Sequence, residues 1–109
     1  MLQKTEFIWF DGKLVPWDQA QVHVLAHGLH YGTGVFEGIR AYACPDGSSA
    51  VFRLPEHSKR LVNSAKILGI NMPYTADEIS KAIIETVVAN KLSEGYIRPL
   101  AFAGEGDMG

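Results

Sequence analysis

The run Gly34-Val35-Phe36-Glu37-Gly38-Ile39-Arg40-Ala41-Tyr42 constrains the fold more than any other stretch of this chain. Side chains alternate across a strand, so Val35, Glu37, Ile39 and Ala41 share one face, and Phe36, Gly38, Arg40 and Tyr42 share the other. The spacing predicts one strand. Pro45-Asp46-Gly47-Ser48 follows as a turn, and Ala50 to Arg53 returns as the second arm of a hairpin. An earlier hairpin is read from two short runs, Phe7-Ile8-Trp9-Phe10 and Lys13-Leu14-Val15-Pro16, separated by Asp11-Gly12. That dipeptide accepts the positive φ angles of a tight turn, and Pro16 ends the second strand.

Ala20 to Tyr31 has no clear period and reads as a loop or a broken helical turn. Leu54-Pro55-Glu56-His57 opens a helix, with proline in its first turn and an acid at the positive end of its dipole. Leu54, His57, Leu61, Ala65 and Leu68 recur at helical spacing until Gly69 stops the run. Thr75-Ala76-Asp77-Glu78 is a capping box, followed by an amphipathic helix through Ile79, Ala82, Ile83, Thr86, Val87 and Asn90, ending near Lys91. A last strand runs from Gly95 to Phe102. The order predicts an α+β fold: antiparallel strands and hairpins, two helices packed on one side, and a final strand after the helices. The 109 residues suffice for one domain with a single core. Ala103 to Gly109 is glycine-rich and reads as a loop leading onward.

Composition removes several classes. Hydrophobic residues are 47% and charged residues 20%, ordinary for a globular protein. The net charge of −2, with scattered Lys and Arg, lacks the basic footprint of nucleic-acid binding and any polybasic membrane patch. No apolar run nears the roughly 20 residues that cross a bilayer, and the N-terminus does not read as a secretory signal. Cys44 is alone, which rules out an intrachain disulfide and fits a reducing cytoplasm. Beside a turn, it reads as a structural rather than a reactive thiol.

Several groups could carry chemistry. His23, His27 and His30 stand at i, i+4 and i+7, a spacing that could bind a metal. No acidic residue lies within the segment to complete a site, so packing or hydrogen-bonding roles are preferred. Gly32-Thr33-Gly34 lacks the following lysine and helix of a phosphate loop. Phe36, Gly38 and Arg40, alternating along one strand face, form either a pocket with a cation for a carboxylate or a plain amphipathic strand. Arg60, beside the apolar stripe of the first helix, is either a phosphate clamp or a solvated arginine. Tyr96 and Arg98 share a strand face opposite Ile97, which suits a carboxylate or is simply a polar face.

Together these segments resemble a known family. His30-Tyr31-Gly32-Thr33-Gly34-Val35-Phe36-Glu37-Gly38-Ile39-Arg40 is similar to the characteristic run of branched-chain amino-acid aminotransferases, which are fold-type IV pyridoxal-phosphate enzymes. Ile8 to Gly12 resembles their opening strand and turn. Phe52 to His57, with Arg60-Leu61 and Ser64-Ala65-Lys66, resembles their cofactor-side helix, and Tyr96 to Leu100 a further family stretch. The motifs keep the family order over nearly the whole chain. The resemblance implies transfer of an amino group between leucine, isoleucine or valine and 2-oxoglutarate, with pyridoxal phosphate as cofactor.

By that resemblance, Arg60 grips the cofactor phosphate, and Phe36 and Tyr96 line the branched side-chain pocket. Tyr31 reaches the active site of a neighbouring subunit, and Arg98 joins it at the distal carboxylate of glutamate. Gly38 and Arg40 shape the pocket strand. The partners implied are amino acids and 2-oxo acids, a second copy of the enzyme, and a large domain bearing the Schiff-base lysine. None of Lys4, Lys13, Lys59, Lys66, Lys81 and Lys91 stands in that lysine's context. The chain is thus expected to be the N-terminal small domain, residues 1–109, inactive alone. The alternatives are another fold-type IV domain, from a D-amino-acid aminotransferase or an aminodeoxychorismate lyase, or a non-catalytic self-associating or binding module.

Overall fold

The chain opens with a two-residue hairpin, β1 (Phe7–Phe10) and β2 (Lys13–Pro16), in a computed structural model that describes residues 4–104. Asp11 and Gly12 both take positive φ, 49° and 101°, as the turn requires. A 3₁₀ turn (Trp17–Gln19) and a short helix α1 (His27–Tyr31) follow. The segment read as a loop or broken helical turn therefore contains one real turn of helix, closed by Gly32 at φ 68°.

The run after Gly32 is not one strand. It splits into β3 (Gly34–Phe36) and β4 (Ile39–Ala43), and the last strand splits likewise into β6 (Gly95–Ile97) and β7 (Leu100–Phe102). β3 pairs with β7, and β4 pairs with β6 and with β5 (Ser49–Val51), all antiparallel. The two breaks face each other. Phe36 pairs with Leu100 and Ile39 with Ile97, so one register runs through the gap without a slip. Pro99 causes the interruption, since it has no N–H to give to a ladder. Across the gap the Glu37 amide donates to the Pro99 carbonyl at 3.0 Å.

Two helices cover one side of these strands. α2 spans Leu54–Leu68 and ends on Gly69 at φ 81°. α3 spans Ala76–Ala89 and starts with a complete capping box: Thr75 accepts from the Glu78 amide at 3.2 Å, and Glu78 accepts from the Thr75 amide at 2.9 Å. The core lies between helices and strands. Ile39, Leu54, Leu61, Ile79 and Ile83 form its centre, with Val35, Val51 and Ile97 packed around them. Where α2 and α3 meet, the Ser58 and Ser80 hydroxyls bond at 2.7 Å, which satisfies a buried polar group within the helix pair. Asn90, just past α3, holds β1. Its side chain accepts from the Phe7 amide at 2.8 Å, and its NH₂ donates to the Phe7 carbonyl at 3.0 Å. The expected glycine-rich loop is described only as far as Gly104; residues 105–109 lie outside the described part.

Candidate functional site

The interrupted register positions two groups of side chains on opposite faces of the 36–40 segment. Alternation holds across the break. Glu37, Ile39 and Ala41 are buried, whereas Phe36, Gly38, Arg40 and Tyr42 are exposed.

On the exposed face, Arg98 lies over aromatic rings. Its guanidinium carbon is 4.2 Å from the Phe36 ring centroid and 5.4 Å from that of Tyr96. One terminal nitrogen, Nη2, donates to the Tyr96 hydroxyl at 2.9 Å. Gly38 makes room for this group, because a Cβ there would overlap the Tyr96 hydroxyl. Phe36 (58% exposed) and Tyr96 (52% exposed) thus present an open aromatic surface held against a cation. The surface offers apolar contact, a phenol O–H and free guanidinium N–H groups to one ligand, a combination suited to a molecule with both an apolar part and a carboxylate. Arg40 flanks it, directly opposite Tyr96 in the β4–β6 pairing. Tyr31 sits elsewhere, on α1, its ring 4.6 Å from that of His27 and tilted 40° to it, and is 69% exposed.

On the buried face lies a compact ion-pair cluster. Glu37, only 5% exposed, receives the His57 Nδ1–H at 2.7 Å on Oε1. Arg60 grips the same carboxylate from the side, with Nη2 on Oε1 at 2.8 Å and Nε on Oε2 at 2.8 Å. His57 and Arg60 are three residues apart on α2 and so reach the carboxylate from one helix face. The Arg60 hydrogen bond holds the Glu37 carboxyl below its ordinary range despite burial, and the His57 bond adds to this. The same contact raises Arg60. Arg60 is therefore neither free in solvent nor enclosed; its inner edge is paired while the side chain stays 67% exposed.

Sequence reasoning missed Glu37 and His57 as members of this site. A signal was there: a carboxylate stood between Val35 and Ile39 on the apolar face, and a buried carboxylate needs donors. Two histidines of the 23–30 segment bond locally, whereas the buried Nδ1 of His27 has no hydrogen-bond partner among the described residues. His30 Nε2 bonds the Val24 carbonyl at 2.7 Å, and His23 Nδ1 accepts from the Leu25 amide at 3.0 Å. Among the described residues no group of three or more His, Cys, Asp or Glu is placed to hold a metal ion. Lys4, Lys13, Lys59, Lys66, Lys81 and Lys91 are all exposed. No helix among the described residues is long and apolar enough to cross a membrane.

Comparison with known proteins gives a consistent set of relatives. The sequence model of amino-transferase class IV matches residues 34–109. The branched-chain-amino-acid aminotransferase of Pseudomonas aeruginosa is 50% identical over 109 residues, which is all of this chain and 35% of that protein. Among solved structures, the branched-chain amino acid aminotransferase from Escherichia coli superposes with a TM-score of 0.91 at 47% identity, over 97% of this chain and 36% of that one. The branched-chain amino acid aminotransferase from Thermobaculum terrenum, solved in its PLP-form, gives a TM-score of 0.82 at 36% identity, over 90% of this chain and 33% of that one. The chain spans about a third of the length of the curated relatives it matches.

Proposed function

Because this chain belongs to the class IV amino-transferases, we propose that it forms the small domain of a pyridoxal-phosphate-dependent branched-chain aminotransferase and supplies one wall of the active site. The observation that carries this reading is the exposed cluster in which Arg98 lies 4.2 Å from the Phe36 ring and bonds the Tyr96 hydroxyl. A transaminase for these substrates must admit an aliphatic side chain and the distal carboxylate of glutamate to one pocket. Phe36 and Tyr96 give the aliphatic chain an apolar surface. Arg98 and the Tyr96 hydroxyl give the carboxylate its donors. Gly38 keeps the floor open, and Arg40 borders it.

The residues present fit the cofactor's phosphate at Arg60. Its outer edge faces solvent with unpaired N–H groups, a donor set that takes two oxygens of a phosphate. When bound, pyridoxal phosphate supplies the electron-withdrawing ring that carries the amino group between substrates. The lysine that binds it covalently is assigned to protein outside this segment, since the lysines here all lie exposed on the surface, without the desolvated setting that activates such an amine. A homodimer belongs to the same proposal. Val24, Leu25, Leu29 and Tyr31 are 72, 54, 64 and 69% exposed within one stretch, an apolar surface fit for a second copy that would bring Tyr31 to the neighbouring site. A cytoplasmic location accords with the lone Cys44.

The test is the whole protein carrying this segment, assayed with leucine, isoleucine or valine and 2-oxoglutarate. Arg98→Met should weaken use of glutamate about 30-fold or more, the value of a lost charge-assisted bond, while leucine is largely spared. Equal loss for both substrates, or no amino transfer by the unaltered protein, would overturn the reading.

A further inference from the structure

The geometry around Arg60 points to a role for Glu37, resting on the reading of Arg60 as the phosphate clamp: we infer that Glu37, backed by His57, is a positioning residue that presents the outer edge of Arg60 to the cofactor phosphate.

An arginine guanidinium has two faces for bidentate binding, a side edge (Nε with one terminal nitrogen) and an end (the two terminal nitrogens). Glu37 takes the side edge: Nε lies 2.8 Å from Oε2, and Nη2 lies 2.8 Å from Oε1. Nη1 and the remaining Nη2 proton are left, and together they form the end that a phosphate engages with two parallel bonds. The orientation of that end is thus set before any ligand arrives.

The support is itself anchored. The Glu37 carboxylate is 5% exposed and takes the His57 Nδ1–H at 2.7 Å, and the Glu37 amide is tied to the Pro99 carbonyl at 3.0 Å. Arg60, by contrast, is 67% exposed and would otherwise sample many rotamers in water. Binding energy that would go to ordering a long flexible chain is kept when the chain is already held. A carboxylate beside the clamp also offsets part of its positive charge. Geometry and electrostatics therefore pull phosphate affinity in opposite directions, and the sign of the Glu37 effect decides between them.

The experiment uses the whole protein freed of cofactor, titrated spectroscopically with pyridoxal 5'-phosphate and, separately, with phosphate-free pyridoxal. Arg60→Met should weaken pyridoxal phosphate about 100-fold and pyridoxal hardly at all. Glu37→Gln should weaken pyridoxal phosphate about tenfold with pyridoxal within about twofold. His57→Gln should act in the same direction and more weakly. The double variant Glu37→Gln/Arg60→Met should bind no worse than Arg60→Met alone, because Glu37 acts only through Arg60. Unchanged or tighter pyridoxal phosphate binding by Glu37→Gln overturns the inference. So does an equal loss of both ligands, which marks a purely structural role, or additive losses in the double variant. If Arg60→Met leaves pyridoxal phosphate binding unaltered, the clamp assignment itself fails, a result separable from failure at Glu37 alone.

Discussion

The hydroxyl of Tyr96 occupies the space where a side chain on residue 38 would begin. A Cβ built on Gly38 would overlap that oxygen and lie 3.0 Å from the Tyr96 Cζ. The glycine is required here by what approaches it, since its own φ is not in the left-handed region.

Gly38→Ala should therefore leave the fold intact and disturb the site. The phenol is the far end of a flexible side chain and can swing away, which breaks its 2.9 Å bond from Arg98. Stability should change by less than about 1 kcal/mol, as for other substitutions at an exposed position. On the proposed function, affinity for glutamate should fall about tenfold, the cost of one lost hydrogen bond to a charged group. Denaturant titration beside substrate titration separates the two, and a folded variant with unaltered glutamate affinity would show that Tyr96 takes no part in carboxylate binding.

Acid should weaken the protein in part through Glu37. Its carboxyl is held below the ordinary 4.5 chiefly by the Arg60 hydrogen bond. A depressed carboxylate contributes stability that is complete above the unfolded-state value and is lost as pH falls through the folded-state value. Relative to Glu37→Gln, the unaltered protein should therefore lose stability as pH drops below about 4.5. Urea midpoints of both proteins between pH 7 and pH 3 test this, and a difference that moves in favour of the unaltered protein as pH falls would contradict it.

Ile39→Ala should be among the most damaging single changes. Ile39 is 1% exposed and stands at the centre of the core between β4 and the helices. Removing its branched chain leaves a cavity the neighbours cannot fill, at about 2–5 kcal/mol. The loss is read as a lowered denaturation midpoint, and a loss below about 1 kcal/mol would mean that the core collapses around the gap.

Thr75→Ala should cost about 1 kcal/mol by opening the start of α3. Its hydroxyl is the acceptor for the Glu78 amide at 3.2 Å. Amide hydrogen exchange should quicken at Glu78 and its neighbours while the hairpin β1–β2 is unaffected; uniform quickening throughout would assign Thr75 a global role instead.

Local chemistry made much of this structure readable. Asp11-Gly12 specifies its turn, Gly69 ends α2, and Thr75 with Glu78 starts α3, because in each case the deciding atoms lie within a few residues. The split of the 34–42 run was not readable, because its cause sits on the opposing strand at Pro99. The aromatic surface was half legible. Alternation placed Phe36 and Gly38 together and Tyr96 with Arg98, but only pairing across the sheet joined the two sets. Arg60 was singled out without its partner, since nothing within α2 announces a carboxylate that lies 23 residues away in sequence.

The unbroken register across the gap at Pro99 links folding fidelity to chemistry. A slip of one residue between the two strands would turn Glu37 out of the interior and Phe36 into it while Tyr96 and Arg98 kept their side, so the same move would part Phe36 from Arg98. Core and exposed aromatic cluster are thus two readings of a single alignment. A misthreaded molecule cannot keep that cluster over a faulty interior, so quality control that discards poorly packed chains also discards those in which the cluster is scrambled.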